Sequence, residues 1–180
     1  MWESQQQEMQ DRYGASAGGA NYFKFKEGRN RIRILDIGEM VATHFVSNKG
    51  YTCFGIMEGC PYVGADAPKD DDGNPKKPSV RLYTYILDRD NKDGQPLLAE
   101  IAYSVVKQLQ TFMAEKDYSF EKFPMPYDIV VTFTKNAAPN DKYKVVPMAT
   151  REEVPGEVLE ALEKVTPVHQ VVERKKARAQ

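Results

Sequence analysis

Phe23-Lys24-Phe25-Lys26-Glu27-Gly28-Arg29-Asn30-Arg31-Ile32-Arg33-Ile34-Leu35 is the stretch from which the fold can be read. After Gly28 the residues alternate with period two. Asn30, Ile32 and Ile34 take one face of a strand, and Arg29, Arg31 and Arg33 take the other. Ile32 and Ile34 are β-branched and suit a buried face. The opposite face then carries three guanidinium groups about 6.5–7 Å apart, because each strand residue rises about 3.3 Å. That is close to the phosphate spacing of an extended single strand, and Arg can both fork onto a phosphate and stack on a base. The competing reading is a solvated face on a sheet with a core on one side. Three arginines in register, preceded by Lys24 and Lys26, point to an anionic ligand.

The rest of the composition sets limits on that ligand site. A chain of 180 residues suits one domain with appendages, and its 41% hydrophobic content with 10 Tyr and 8 Phe can fill one core. The 25 basic and 26 acidic residues leave a net charge of -1, so an anion site must be local rather than global. Two cysteines argue against a disulfide scaffold. No apolar run approaches the roughly 20 residues needed to span a bilayer, and the N-terminus lacks a basic region followed by an apolar one. The expectation is a soluble, cytoplasmic protein without a membrane partner.

Taken in order, residues 1–20 are Gln-rich and then Gly- and Ala-rich, which reads as a disordered arm. The domain is expected over residues 21–150. Phe23 and Phe25 alternate with lysines in a short strand, and the arginine strand follows. Met40 to Ser47 is a third strand, Asn48-Lys49-Gly50 a hairpin turn, and Tyr51 to Met57 its return. Glu58 to Pro78 is a long loop rich in Gly and Pro around Lys69-Asp70-Asp71-Asp72. Val80 to Asp88 and Leu97 to Ala102 read as strands joined by the turn Asp90-Asn91-Lys92-Asp93-Gly94. Ser104 caps a helix to about Lys116, with Val105, Leu109, Phe112 and Met113 on one side. Tyr127 to Thr134 and Lys142 to Met148 are the last strands. Thr150-Arg151-Glu152-Glu153 resembles a capping box before a short helix over 151–166 that carries Val158, Leu159 and Leu162. Residues 167–180 read as a basic tail. Strands, one helix and then two more strands give a mostly β class. The order is that of an OB-fold five-stranded barrel with its helix between strands three and four, plus an extra hairpin and loop. Barrels of that plan commonly bind oligonucleotides across one face and its loops.

The segment from Phe25 to Leu35 resembles the opening signature of single-stranded DNA-binding proteins of tailed bacteriophages. His44, the cysteine-bearing segment, the strand near Tyr85, and Tyr143-Lys144-Val145-Val146-Pro147 follow in the order that family shows. The likeness spans roughly residues 22 to 150. It implies an OB fold that coats exposed single strands during phage replication, recombination and repair in the cytoplasm of the infected host. It also implies replication or recombination proteins of phage or host as partners, and self-association along the strand. Two departures stand out. Zinc-bearing relatives carry one His and three Cys, whereas Tyr62 and Val63 stand where a further cysteine would follow Cys60-Pro61. Relatives also often end in an acidic tail, and this chain ends Arg174-Lys175-Lys176-Ala177-Arg178.

Base stacking needs exposed aromatic rings beside positive charge and is worth about 1–3 kcal/mol per base. Arg81, Tyr83 and Tyr85 share one face of their strand, so they are expected to sit beside Arg29, Arg31 and Arg33, all opposite the apolar core. The competing reading puts both tyrosines in a second small core. Tyr51 and Phe54, with Lys49, are candidates for a flap over this surface, and Lys142 and Lys144 extend the phosphate track. Arg31→Ala with Arg33→Ala is then expected to weaken binding without unfolding the domain. For metal, His44, Cys53 and Cys60 supply three soft ligands where a structural zinc wants four, and Asp66 is an uncommon fourth. The expectation is no cofactor. The chain has no nucleophile elbow, no phosphate-cradling Gly loop and no carboxylate pair at helical spacing. It is therefore read as a binding protein rather than an enzyme, with a protein-interaction module or an RNA-binding protein as alternatives.

Overall fold

The alternation around Arg29–Ile34 does form a strand, and it lies at the middle of the sheet. The computed structural model describes residues 22–46, 49–53 and 69–179. Within these, the strands are β1 (Tyr22–Phe23), β2 (Gly28–Ile34), β3 (Glu39–Val46), β4 (Lys49–Cys53), β5 (Ser79–Asp88), β6 (Leu97–Ala102), β7 (Ile129–Phe133) and β8 (Tyr143–Pro147). The helices are α1 (Tyr103–Met113), α2 (Gly156–Lys164) and α3 (Val168–Ala179). All eight strands join one sheet in the order β1-β6-β5-β2-β7-β8, with β3 also paired to β5 and β4 to β3. β1 runs parallel to β6 and every other pairing is antiparallel, so the sheet is mixed. Among the described residues β6 and β8 do not pair. The fold is mostly β and the sheet is open, where strand order alone suggested a closed barrel.

One face of the sheet holds the larger core. Ile32, Ile34, Ile86, Leu97, Ala99, Ile101, Ile129, Val131 and Val145 point inward, and α1 covers them with Val105 and Leu109. Asn30 also occupies a buried position on this face. Its Oδ1 accepts from the Lys26 amide at 2.9 Å, while Nδ2 donates to the Lys26 carbonyl at 2.8 Å and the Val131 carbonyl at 3.2 Å. A buried amide is tolerable only when satisfied in this way, and the clamp fixes the turn that launches β2. Helix α1 also takes the place of a neighbour at the outer edge of β8. Gln108 Nε2 donates to the Tyr143 carbonyl at 2.9 Å, and Gln108 Oε1 accepts from the Val145 amide at 3.0 Å. A side-chain amide thus meets the edge groups a missing strand would have met. The helix begins one residue before the expected cap, with Ala102 rather than Ser104 at the N-cap and no side-chain capping bond.

A second core lies on the opposite face, where the sequence pattern predicted an open surface. Leu35, Val41, Tyr83, Tyr85, Leu87 and Leu98 pack there against Val158 of α2 and Val168, Val171 and Val172 of α3. The basic tail expected from residue 167 is instead helical over Val168–Ala179. Val168, Val171 and Val172 recur at helical spacing, and burial of that stripe offsets the weak propensity of so many β-branched residues. The proposed capping box does not cap α2, whose N-cap is Pro155 with no side-chain bond. The turn between β2 and β3 crosses β5 so closely that a Cβ added to Gly38, at φ +65°, would sit 2.3 Å from the Tyr83 carbonyl oxygen. Only glycine fits that crossing. Of the remaining boundaries, β4 begins at Lys49 within the expected turn, and β1 is shorter than the alternation suggested.

Candidate nucleic-acid interface

Cross-strand register decides which of the expected site residues meet. Arg29 lies opposite Thr132 on β7, Thr132 lies opposite Lys144 on β8, and Arg31 lies opposite Val130. Arg33 lies opposite Leu87 on β5, so Leu87, Tyr85, Tyr83 and Arg81 share the arginine face. The arginines and tyrosines therefore share one wall, but Leu87 stands across from Arg33 and Tyr85 across from Leu35, so the tyrosines do not lie beside Arg29 and Arg31. The expected exposure does not hold. Tyr85 is 1% exposed, Tyr83 8% and Arg33 2%, because α2 and α3 cover this part of the face.

Those buried residues have structural partners. The Tyr85 hydroxyl donates to the Thr166 carbonyl at 2.8 Å, between α2 and α3. Burial pushes the Tyr85 phenol above its ordinary pKa and does the same to Tyr83, where the Glu100 carboxylate adds to the effect. Neither ring is available to a base. Arg33 is spent on the fold as well. Its Nε donates to Asp128 Oδ1 at 2.6 Å, Nη1 to the Met125 carbonyl at 3.0 Å and Nη2 to the Glu152 carbonyl at 2.7 Å. Burial pulls its pKa down, and the Asp128 carboxylate works against that shift.

Asp128 is the hub of this face, a role that its place beside Tyr127 in the sequence gave no hint of. Besides Arg33 it receives Arg31 Nε at 2.9 Å and Arg89 Nε at 3.1 Å, while its own side chain is fully buried. Arg89 Nη2 continues to the Glu153 carbonyl at 3.1 Å. The segment entering α2 is thereby tied across the sheet by three guanidiniums. Arg31 is the outermost of them and its side chain keeps 28% exposure. Its Nη2 lies 2.7 Å from Asp128 Oδ2 and 2.8 Å from Glu152 Oε1, close enough for ion pairing but without an aligned N–H bond. Contact with Glu152 is the largest influence raising the Arg31 pKa, ahead of that from Asp128.

Beyond the arginine cluster the same face is open. Arg29 and Lys144 are exposed, Lys142 and Arg81 are half-buried, and Val146 is 53% exposed beside them. Arg29 and Lys144 are two strand spacings apart, about 10 Å between their backbones. At this same end of the sheet Phe133 faces Tyr143 across β7 and β8, with ring centroids 5.1 Å apart and planes inclined by 24°. Phe25 meets Tyr143 edge-on at 5.5 Å. All three rings are half-buried where the larger core reaches the sheet's lip. The Lys135 amide donates to Glu27 Oε2 at 2.8 Å, which ties the turn carrying Lys24 and Lys26 to the loop after β7. Lys24, Lys26 and Lys135 are exposed there. Phe133 shares the inward face of β7 with Ile129 and Val131, and register places it beside Tyr143 at an open rim.

The remaining expected residues divide by location. Phe54 and Cys60 lie outside the described residues, as does Asp66. Lys49, Tyr51, His44 and Cys53 belong to the β3–β4 hairpin, where His44 lies opposite Tyr51 and Cys53 opposite Ala42 in backbone register. Among the described residues no group of three or more His, Cys, Asp or Glu side chains is placed to hold a metal ion. No helix among them is long and apolar enough to cross a membrane. Comparison with family models, curated proteins and solved structures gives no match to this chain.

Proposed function

We propose that this chain binds single-stranded DNA without sequence preference and without catalysis. The observation that carries this reading is the open row Arg29–Thr132–Lys144, with Lys142 on the same face. The row lies at the end of the sheet where Lys24, Lys26 and Lys135 are exposed and the Phe133–Tyr143 stack lies on the other face. A strand passing around this end of the sheet would place phosphates near the cations of one face and bring bases to the half-buried rings at the lip of the other. That combination suits a ligand with a regular anionic backbone and a π-face on every unit.

The strand plan supports the same reading. β2 pairs with β5 and β7, β5 pairs with β6, β7 pairs with β8, and the helix falls between β6 and β7. This is the neighbour pattern of an OB barrel without its closing contact, and the loop between its last two strands is one that such barrels use for oligonucleotides. The resemblance of Phe25–Leu35 to phage single-stranded DNA-binding proteins adds the setting. There the protein would hold exposed strands unpaired and shield them during replication, recombination and repair, in the cytoplasm of an infected host. Replication enzymes and neighbouring copies along the strand would be its partners.

The test is a titration of labelled oligo-dT at two salt concentrations, with the matching ribo-oligomer in parallel. Binding that weakens by orders of magnitude as salt rises is expected, because neutralising several phosphates releases their counterions. Preference for the ribo-oligomer would move the assignment to RNA. No binding at low salt would sink it and leave the protein-interaction reading.

A further inference from the structure

The boundary between the covered and the open halves of the arginine face falls at Arg31. We propose that the Glu152 carboxylate occupies the position of a phosphate on Arg31, and that a bound strand displaces it. This inference rests on the single-strand binding reading and assigns Glu152 as the residue that limits the affinity of that site.

Three features of the cluster support the assignment. Glu152 differs from Asp128, the other carboxylate on Arg31, in that its side chain is 51% exposed whereas that of Asp128 is fully buried. Asp128 could not leave without stranding Arg33 and Arg89, which also depend on it. Glu152 can leave, because Arg33 is held by the Glu152 backbone carbonyl and not by its side chain. The covered atom is the right one. Arg31 Nη2 has no surface open to water and no aligned hydrogen bond, although the rest of the side chain is partly exposed. Swinging Glu152 aside would free the outward side of Nη2 while its ion pair with the buried Asp128 carboxylate, at 2.7 Å, keeps the guanidinium in place.

The geometry also gives the uncovered group a use. Arg29 and Arg31 are two residues apart on the same face of β2, about 6.6 Å along the strand. An extended single strand spaces successive phosphates similarly, so Arg29 would take one phosphate and Arg31 the next, with Lys144 to the side. With Glu152 in place, Arg31 contributes little to an incoming strand, and of the three arginines only Arg29 is open. A sufficiently anionic and extended ligand exchanges one carboxylate–guanidinium contact for a phosphate–guanidinium contact, which is charge-assisted and able to fork.

Glu152→Gln tests this against Glu153→Gln, which removes the same charge one residue away from a side chain with no contact to Arg31. Both are measured for oligo-dT affinity across a salt series, with thermal unfolding as a check on folding. Glu152→Gln is expected to bind about two- to fivefold more tightly at low salt, the range for releasing one exposed ion pair. The plot of log affinity against log salt should keep the parent slope, because Arg31 takes the same phosphate in both proteins once Glu152 is displaced. Glu153→Gln should keep the parent affinity as well as the parent slope. Equal affinities in the parent and Glu152→Gln would overturn the proposal while leaving DNA binding intact, as would a matching gain in Glu153→Gln. So would a slope about 0.7 steeper in Glu152→Gln, which would mean that the strand leaves Glu152 on Arg31 in the parent. Absence of binding in the parent would remove the underlying function, and this inference with it.

Discussion

At the scale of single residues, the decisive charge is Asp128. Among the described residues it alone accepts from all of Arg31, Arg33 and Arg89. A buried ion cluster is weak ground for claiming net stability, since desolvation costs several kcal/mol per ion, but removing one member strands the rest. Asp128→Ala should therefore cost about 3–5 kcal/mol, read as a lower urea midpoint, and should loosen the tie to residues 152–153. Asp36 behaves in the opposite sense. Its Oδ1 accepts from the Thr84 hydroxyl and, at 3.0 Å, from the Tyr85 amide, yet burial dominates and pushes its pKa up. A carboxyl whose folded pKa exceeds the unfolded value contributes stability in full below the unfolded pKa. It loses that contribution as pH rises through the folded value. Asp36→Asn should thus gain on the parent protein as pH rises from about 4 to about 7, in paired urea melts. A constant difference across that range would refute the assignment.

At the scale of elements, the molecule is a sheet with helices on both faces, and the two sides differ in how far the sequence reveals them. The strands are legible because period-two alternation at Arg29–Ile34 and Val80–Asp88 reports the sheet directly. The helices α2 and α3 are not. Their apolar stripe is short, it is set in a charged segment, and its meaning depends on an uncovered patch of Leu35, Tyr85 and Leu87 far earlier in the chain. Parity along a strand says which side chains share a face, but not whether a later segment returns to cover that face. It therefore puts Tyr83, Tyr85 and Arg33 on the correct wall and misses that they are covered. Edge protection is equally hidden, because nothing in the sequence marks Gln108 as a partner for β8. Gln108→Ala would leave the Val145 amide and the Tyr143 carbonyl without that partner. The expected cost is about 1–3 kcal/mol, with faster amide exchange at Val145 as the local signature. Unchanged exchange there would mean that water satisfies the edge as well as the side chain does.

At the scale of the whole molecule, the covered half of the arginine face and the open half should separate stability from binding. The arginines look alike in sequence, so alternation alone assigns Arg29, Arg31 and Arg33 one role. Their surroundings assign them three. Arg33 anchors the second core, Arg31 lies at its edge, and Arg29 faces solvent across from Lys144 through Thr132. Arg29→Ala with Lys144→Ala removes two exposed charges that carry none of the ion pairs tying the helices to the sheet. Surface changes of this kind usually stay within about 0.5 kcal/mol each. The urea midpoint should hardly move, while the salt dependence of oligo-dT binding should flatten by about 1.4, or about 0.7 for each phosphate that is no longer neutralised. Arg31→Ala with Arg33→Ala should do the reverse of the sequence-based expectation and unfold the domain, because it leaves Asp128 buried with Arg89 alone. If the first pair left the salt slope intact while the protein still bound, the strand would have to lie elsewhere. The β3–β4 hairpin, with Lys49 and Tyr51, would then be the next surface to test.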